Sequence, residues 1–401
     1  MKQARTDPRG RPDFLLLILT LLLVGFGLVM VFSASSNIAV TSDEFNRDAL
    51  YFTKRQLMWV ALGSLMLLAA MNIRYNWYKK GHVLLFIPVV LMLILVPIIG
   101  ETRNGARSWF GIGSFGVQPT EFAKLAIILY LGAIIVKKGE KFREFKRGLL
   151  PVMGTVGVIC GLILLQPDIG STLILASSAG IIILAGGANL KQLFLASVTL
   201  SIVVTVIVSV SMIANPDPWA YRMDRFTSYM DPLQDEMDSG YNLSKSLQAL
   251  GHGGLTGAGF GNSVQKLKYL PFPYNDFIFA VIAEEFGFIG SLLFLLTYLF
   301  FIWRGLLVAL RCPDIYGTVV GVGIMSMIAV QAFVNIGGVT GAIPITGVTL
   351  PLISYGGSSM LVTLAAMGVL LSISREYNRP VGQERKDRTS RQEAARFRTV
   401  R

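Results

Sequence analysis

The residues best suited to chemistry lie between Gly251 and Gly290, which read GHGGLTGAGFGNSVQKLKYLPFPYNDFIFAVIAEEFGFIG. A glycine-rich, cationic run turns, at Asp276, into a long apolar segment that carries two more acids, Glu284 and Glu285. A carboxylate where a loop meets a hydrophobic helix has two uses. It can cap the helix and face the positive end of its dipole. It can also sit in a partly dry pocket at the water boundary, placed to accept a proton. On a helix, Glu284 falls about 80° around from Asp276 and Glu285 about 180° away, so only Glu284 can share a face with it, loosely. The glycines look superficially like a phosphate-binding fingerprint, but no strand precedes them; they are read instead as a turn through which backbone approaches a bulky ligand.

Three other places carry charge where charge is costly. Arg103 and Arg107 stand beside Trp109 and Phe110; they form either an interfacial belt of aromatic and snorkelling side chains or a guanidinium pair that holds a phosphorylated, sugar-bearing ligand. Pro119 starts a helix on which Glu121 and Lys124 follow three apart on one face, either as a structural pair or as partners of a ligand. Asp168, in Gln166-Pro167-Asp168-Ile169-Gly170, either caps the helix that follows or is a third carboxylate at the same boundary. Two histidines and two unclustered cysteines, Cys160 and Cys312, give no sign of a dedicated metal site or a disulfide.

These groups must be positioned by membrane helices. A chain of 401 residues with 53% apolar and 15% charged residues and a mean hydropathy of +0.59 is too apolar for water. Runs long enough to cross about 30 Å of hydrocarbon fall roughly at 13–33, 56–72, 82–100, 120–136, 149–165, 171–188, 192–213, 277–303, 316–340 and 349–373. The expected fold is therefore an all-α polytopic integral membrane protein of ten transmembrane helices, with a large extracellular loop, 214–276, between the seventh and eighth. With both termini inside, the inner segments hold most of the 36 Lys and Arg residues, as short cytoplasmic segments should. The net charge of +12 thus follows topology and gives no reason to invoke nucleic acid. Residues 1–12 are a cytoplasmic lead, 13–374 the membrane domain, and 375–401 a basic tail too polar to bury a core. The first span is read as an uncleaved anchor, being longer than a signal-peptide core. Tyr241 to Leu250 has helical spacing and is expected to lie on the outer surface. Thr340 to Ser359, TGAIPITGVTLPLISYGGSS, is apolar yet broken by Pro and Gly, and such backbone is tolerated at membrane depth only where it is buried in protein or lines a cavity.

The blocks RNGARSWFGIG, QPTEFAKL, LQPDIGS, FGNSVQKLKYLPFPYNDFIFAVIAEEFGFIG and TGVTLPLISYGGSS resemble, in order, the signature blocks of the shape, elongation, division and sporulation (SEDS) family, the RodA/FtsW/SpoVE group, with GNSVQKLKYLP closest to the FtsW/SpoVE branch. The resemblance implies a peptidoglycan glycosyltransferase of the bacterial plasma membrane. Such an enzyme polymerises lipid II on the outer face, at the division or sporulation septum. It works with a class B penicillin-binding protein and other division or cell-wall synthesis proteins. It places the family's essential aspartate on Asp276, its buried acid and lysine on Glu121 and Lys124, and its Gln-Pro-Asp on Asp168. Where the family usually has glutamate after Leu-Pro, this chain has Phe272. The implied reaction asks one carboxylate base to activate a sugar hydroxyl, a role given to Asp276, and cations to steady the departing undecaprenyl pyrophosphate. Arg103, Arg107 and Lys124 are the first candidates, with Lys266 and Lys268 behind them. A divalent cation (Mg or Mn) is compatible with this chemistry, although no motif demands one. The rival readings are a lipid II flippase and a non-catalytic scaffold for the synthase.

Overall fold

The computed structural model describes residues 10–103, 106–112, 115–166, 168–214, 229, 240–267 and 269–378. It is mostly helical: α1 (Phe14–Thr41), α2 (Tyr51–Asn72), α3 (Tyr75–Ile99), then β1 (Glu101–Arg103), β2 (Ala106–Ile112) and β3 (Phe115–Val117), then α4 (Pro119–Lys138), α5 (Leu150–Leu164), α6 (Ile169–Ala185), α7 (Leu190–Ala214), α8 (Tyr241–Gly253), α9 (Ile278–Leu310), α10 (Ile315–Val339) and α11 (Gly357–Tyr377). Among the described residues, 7 helices are long and apolar enough to cross a membrane, and α2, α6 and α7 fall on the remaining expected spans. The expected tail, Lys268 and most of the long loop lie outside the described residues. Helices α4, α10 and α11 are buried on most faces, whereas α3 turns most of its surface outward. The two helices that carry the most enclosed side chains are thus the ones flanking the irregular segment 340–356.

One end of the bundle gathers the segments expected inside. The backbone N–H of Gly10 donates to the Arg375 carbonyl at 2.9 Å, Arg304 pairs with Asp13 at 2.6 Å, Arg375 donates to Asn72 Oδ1 at 2.9 Å, and Lys79 lies 3.8 Å from Asp314. Both ends of the described chain therefore meet at one end of the bundle.

Three expectations about the elements are corrected. The region before α4 is not a bare interfacial loop and the chain is not all-α: β1, β2 and β3 form an antiparallel three-stranded sheet. The register pairs Arg103 with Ala106 and Ile112 with Phe115, each across two residues, Asn104-Gly105 and Gly113-Ser114. The tenth span begins at Gly357 rather than near 349, because Pro351 and the left-handed Leu352 (φ 67) exclude helix before it. The eighth span is broken at Gly287 (φ 66, ψ −168), leaving a short arm, residues 278–286, that carries both glutamates.

The glycine-rich loop fills that break. Ala258 and Gly259 donate to the carbonyls of Glu284 and Glu285 at 2.9 and 3.0 Å, while Phe288 and Ile289 donate to those of Gly254 and Leu255 at 2.9 and 3.1 Å. Groups freed by the interrupted helix are thus satisfied by the loop, as backbone buried from water must be. The contact is close enough that a Cβ on Gly257 would lie 2.2 Å from the Glu285 carbonyl oxygen. Here the glycines admit another stretch of backbone rather than a ligand.

Candidate active site

Asp276 stands just ahead of α9, but Phe277 occupies the cap position and offers no capping side chain. Asp276 precedes that position by one residue. The residue is half-buried and lines a narrow crevice of about 10 Å³, room for about one water, with Phe277, Asn335, Thr346, Gly347 and Val348 among its walls. The opposite wall is the irregular segment after α10, whose backbone is held from several sides. Gln331 Nε2 donates to the Thr349 carbonyl at 3.0 Å, Gln56 Nε2 to the Ser354 carbonyl at 3.1 Å, Tyr298 to the Pro351 carbonyl at 3.1 Å, and the Tyr355 N–H to the Tyr274 carbonyl at 2.9 Å.

Asn335 joins the two walls. Its Nδ2 donates to the carbonyl of Asp276 at 2.7 Å and to that of Val348 at 2.7 Å. One turn earlier on α10, Gln331 accepts from Lys124 Nζ at 2.8 Å, and the same ammonium pairs with Glu121 at 2.8 Å. Lys124 and Glu121 are both buried. The buried pair and the crevice aspartate are thus tied to a single helix by two amides an i, i+4 step apart, a spacing that puts them on one face. Sequence reasoning passed over Gln331 and Asn335; the signal available was two amides four apart in an otherwise apolar span.

The remaining predicted residues divide. Asp168 caps α6, its Oδ1 accepting from the Ser171 N–H at 2.9 Å, so the capping alternative is realised. The first turn of α6 packs against the irregular segment, since a Cβ on Gly170 would sit 2.6 Å from the Val348 side chain. Arg107 is exposed and donates to the carbonyls of Pro97 and Ile98 at 3.3 and 3.4 Å, neutralising the C-terminal end of α3. Arg103 lies on the edge strand β1. Lys266 is corrected outright as a ligand-facing cation. It is 4% exposed, and its Nζ donates to Glu285 at 2.6 Å and to Ser33 on α1 at 3.0 Å. Glu284 likewise does not share a site with Asp276. It is 0% exposed and accepts from Ser263 Oγ, from the Val264 N–H at 2.9 Å and pairs with His252 Nδ1 at 2.8 Å. The two glutamates clamp the glycine-rich loop to α9, because a carboxylate removed from water needs this many donors.

Two residues before Asp276 the chain enters an aromatic cluster: Phe52, Tyr274 and Tyr355 pack with ring centroids 4.3 to 5.7 Å apart. Burial, then the neighbouring Tyr355, Glu44 and Asp276, pushes the Tyr274 phenol above its ordinary pKa, so it stays neutral. Among the described residues, no group of three or more His, Cys, Asp or Glu is placed to hold a metal.

A helical bundle closed around a buried irregular segment, with a carboxylate in a crevice at one end and an ion pair tied to the same helix, defines a multi-pass membrane protein with a polar site at one end. Over residues 13–379 the chain matches the FtsW/RodA/SpoVE cell cycle protein family, and it belongs to that family. It is similar to stage V sporulation protein E of Bacillus subtilis, 44% identical over 379 residues that cover 93% of this chain and 100% of the relative. It also resembles the probable peptidoglycan glycosyltransferase FtsW of Bacillus subtilis, 41% identical over 369 residues, 90% of each chain. Among solved structures it is similar to a chain of a peptidoglycan synthase complex that coordinates polymerization and crosslinking (TM-score 0.73, 27% identity, 91% of this chain and 98% of that one). The rod shape determining protein RodA of Thermus thermophilus is another (TM-score 0.66, 26% identity, 91% and 97% covered).

Proposed function

We propose that this protein is a peptidoglycan glycosyltransferase that polymerises lipid II at the outer face of the bacterial plasma membrane, in division or spore-cortex synthesis. The observation that carries the reading is the anchoring of Asp276 in the crevice by Asn335, one helical turn from the residue that holds Lys124 and Glu121. In this reading Asp276 is the base: a sugar hydroxyl of lipid II loses its proton to the carboxylate as its oxygen attacks the anomeric carbon of a lipid-linked chain. Undecaprenyl pyrophosphate leaves with the bonding electron pair, and the carbon is inverted. Lys124 orients the site from behind through Gln331, and Arg103 and Arg107 on the sheet are the cations assigned to the departing pyrophosphate. A divalent ion (Mg or Mn) would find one carboxylate, Asp276, in the crevice, so most of its ligands would be pyrophosphate and water oxygens; no step is derived through it.

The membrane setting follows the same reading: ten crossings, both termini cytoplasmic, the segment 214–276 outside, and a septal location. The partner is a class B penicillin-binding protein that crosslinks the glycan. The flippase reading needs ionisable groups along a path through the bilayer; α6 contains none and α7 only Lys191 near its start. The test is a gel of products after purified protein meets lipid II in detergent, where sidedness is lost. Chain growth by the native protein and none by Asp276→Asn, with expression and folding intact, is the expected result. Growth by the variant would remove the base from Asp276, and no growth by either protein, alone or with the transpeptidase, would favour the flippase or scaffold.

A further inference from the structure

Asn335 has capacity that the fold does not use. Its side-chain amide offers two donors and one acceptor. Both donors go to backbone carbonyls, those of Asp276 and Val348, and this fixes which way round the amide lies. The acceptor, Oδ1, is buried and has no hydrogen-bond partner, and the residue is 3% exposed while lining the Asp276 crevice. A buried amide oxygen without a partner loses the stabilisation of a hydrogen bond and still bears the cost of leaving water. Among the described residues it is one of twelve such buried side-chain atoms, and the one whose residue lines the crevice beside Asp276, which asks for a cause there. The neighbouring amide, Gln331, makes the contrast: its oxygen accepts from Lys124 and its nitrogen donates to Thr349, so it is satisfied by the protein alone.

Resting on the glycosyltransferase reading above, we infer that Asn335 Oδ1 is a substrate-binding acceptor, taking a hydrogen bond from the sugar whose hydroxyl Asp276 deprotonates. The attacking hydroxyl carries one proton, and that proton goes to the carboxylate. The donor to Asn335 must therefore be a second group on the same ring, a hydroxyl flanking the attacking one. Because one residue grips both the Asp276 backbone and the sugar, base and nucleophile share a single anchor. Fixing a reacting pair through one rigid element limits the misalignment that costs rate. A protein carbonyl set to accept from a hydroxyl also discriminates strongly against sugars that lack it, since the acceptor is then left buried and unpaired.

The experiment is a binding cycle in the Asp276→Asn background, which silences turnover. Equilibrium binding of lipid II is compared with that of two analogues, each with one flanking ring hydroxyl replaced by hydrogen, in proteins carrying Asn335, Asn335→Ala and Asn335→Ser. One analogue is expected to bind about tenfold more weakly than lipid II when Asn335 is present, the scale of one buried hydrogen bond. That penalty should vanish in Asn335→Ala, giving the coupling that a direct contact produces and a merely structural residue does not. Equal binding of both analogues and lipid II to the protein with Asn335 overturns the inference without needing any folded Asn335 variant. A penalty that persists at full size in Asn335→Ala or Asn335→Ser overturns it too. Loss of lipid II binding altogether would instead overturn the glycosyltransferase reading, and the inference with it.

Discussion

Replacing Gly287 with alanine should release the glycine-rich loop while leaving the rest of the bundle in place. The residue sits at φ 66, ψ −168, a region essentially reserved for glycine, where a side chain costs on the order of 1–3 kcal/mol. A Cβ there would also lie 2.2 Å from Gly257 N and 2.7 Å from the Leu255 carbonyl oxygen, neither of which can rotate away. Relief requires the loop to lift, which breaks the hydrogen bonds of Ala258, Gly259, Phe288 and Ile289 across the break, at roughly 1 kcal/mol net each. Those bonds are lost on lifting in the native protein and the variant alike, so the difference between the two is the strain of the docked state, about 3 kcal/mol for the dihedral and the clash together, about a hundredfold in population. Trypsin reads this directly. Lys266 is inaccessible while its ammonium is buried against Glu285 and Ser33, and cleavage through transient opening follows the population of the open form. Cutting after Lys266 in detergent, followed by mass spectrometry, should speed up by about a hundredfold in Gly287→Ala. In Gly254→Ala, where φ is +50 but nothing lies within 4 Å of the added carbon, the gain should be only about tenfold or less. A Gly287→Ala rate within threefold of the native protein's would refute the docking account.

Other outcomes follow from the same geometry. Lys124→Met should destabilise the protein by roughly 3–5 kcal/mol, because it leaves the Glu121 carboxylate buried without its ammonium; Glu121→Gln in the same chain should recover most of that loss, as thermal unfolding in detergent would show. Asp168→Ala should cost about 1 kcal/mol through loss of the α6 cap, with chain growth from lipid II changed less than by any substitution at Asp276. Burial pushes the Cys312 thiol up to about 11, well above the ordinary range of a free thiol. With Cys160 replaced by serine, labelling by a maleimide should therefore be slow at pH 8 and should rise through pH 11 rather than pH 9; the thiolate, which is the reactive form, appears only as that pKa is approached.

Amino-acid sequence alone determined the class of the protein and much of its local grammar. Apolar runs of membrane length, the pooling of lysine and arginine in alternate segments, the start of α4 at Pro119, the helix at Tyr241 and the irregularity of the stretch after Thr340 are properties of single segments. Periodicity and composition report on single segments. The strands before α4 are less legible, because their Trp and Arg residues suit a membrane interface as well as a strand. Tertiary structure decided the fate of each charge. Lys266 and Ser33 are 233 residues apart, and Lys124 and Gln331 are 207 apart; no local pattern records which will meet. Whether a buried lysine faces a ligand or a glutamate depends on which donors and acceptors the packing brings within about 3 Å. The same holds for Asn335, which in sequence is one polar residue in an apolar helix. Only the fold spends both its donors on opposing carbonyls and leaves its oxygen unpaired in the crevice beside Asp276.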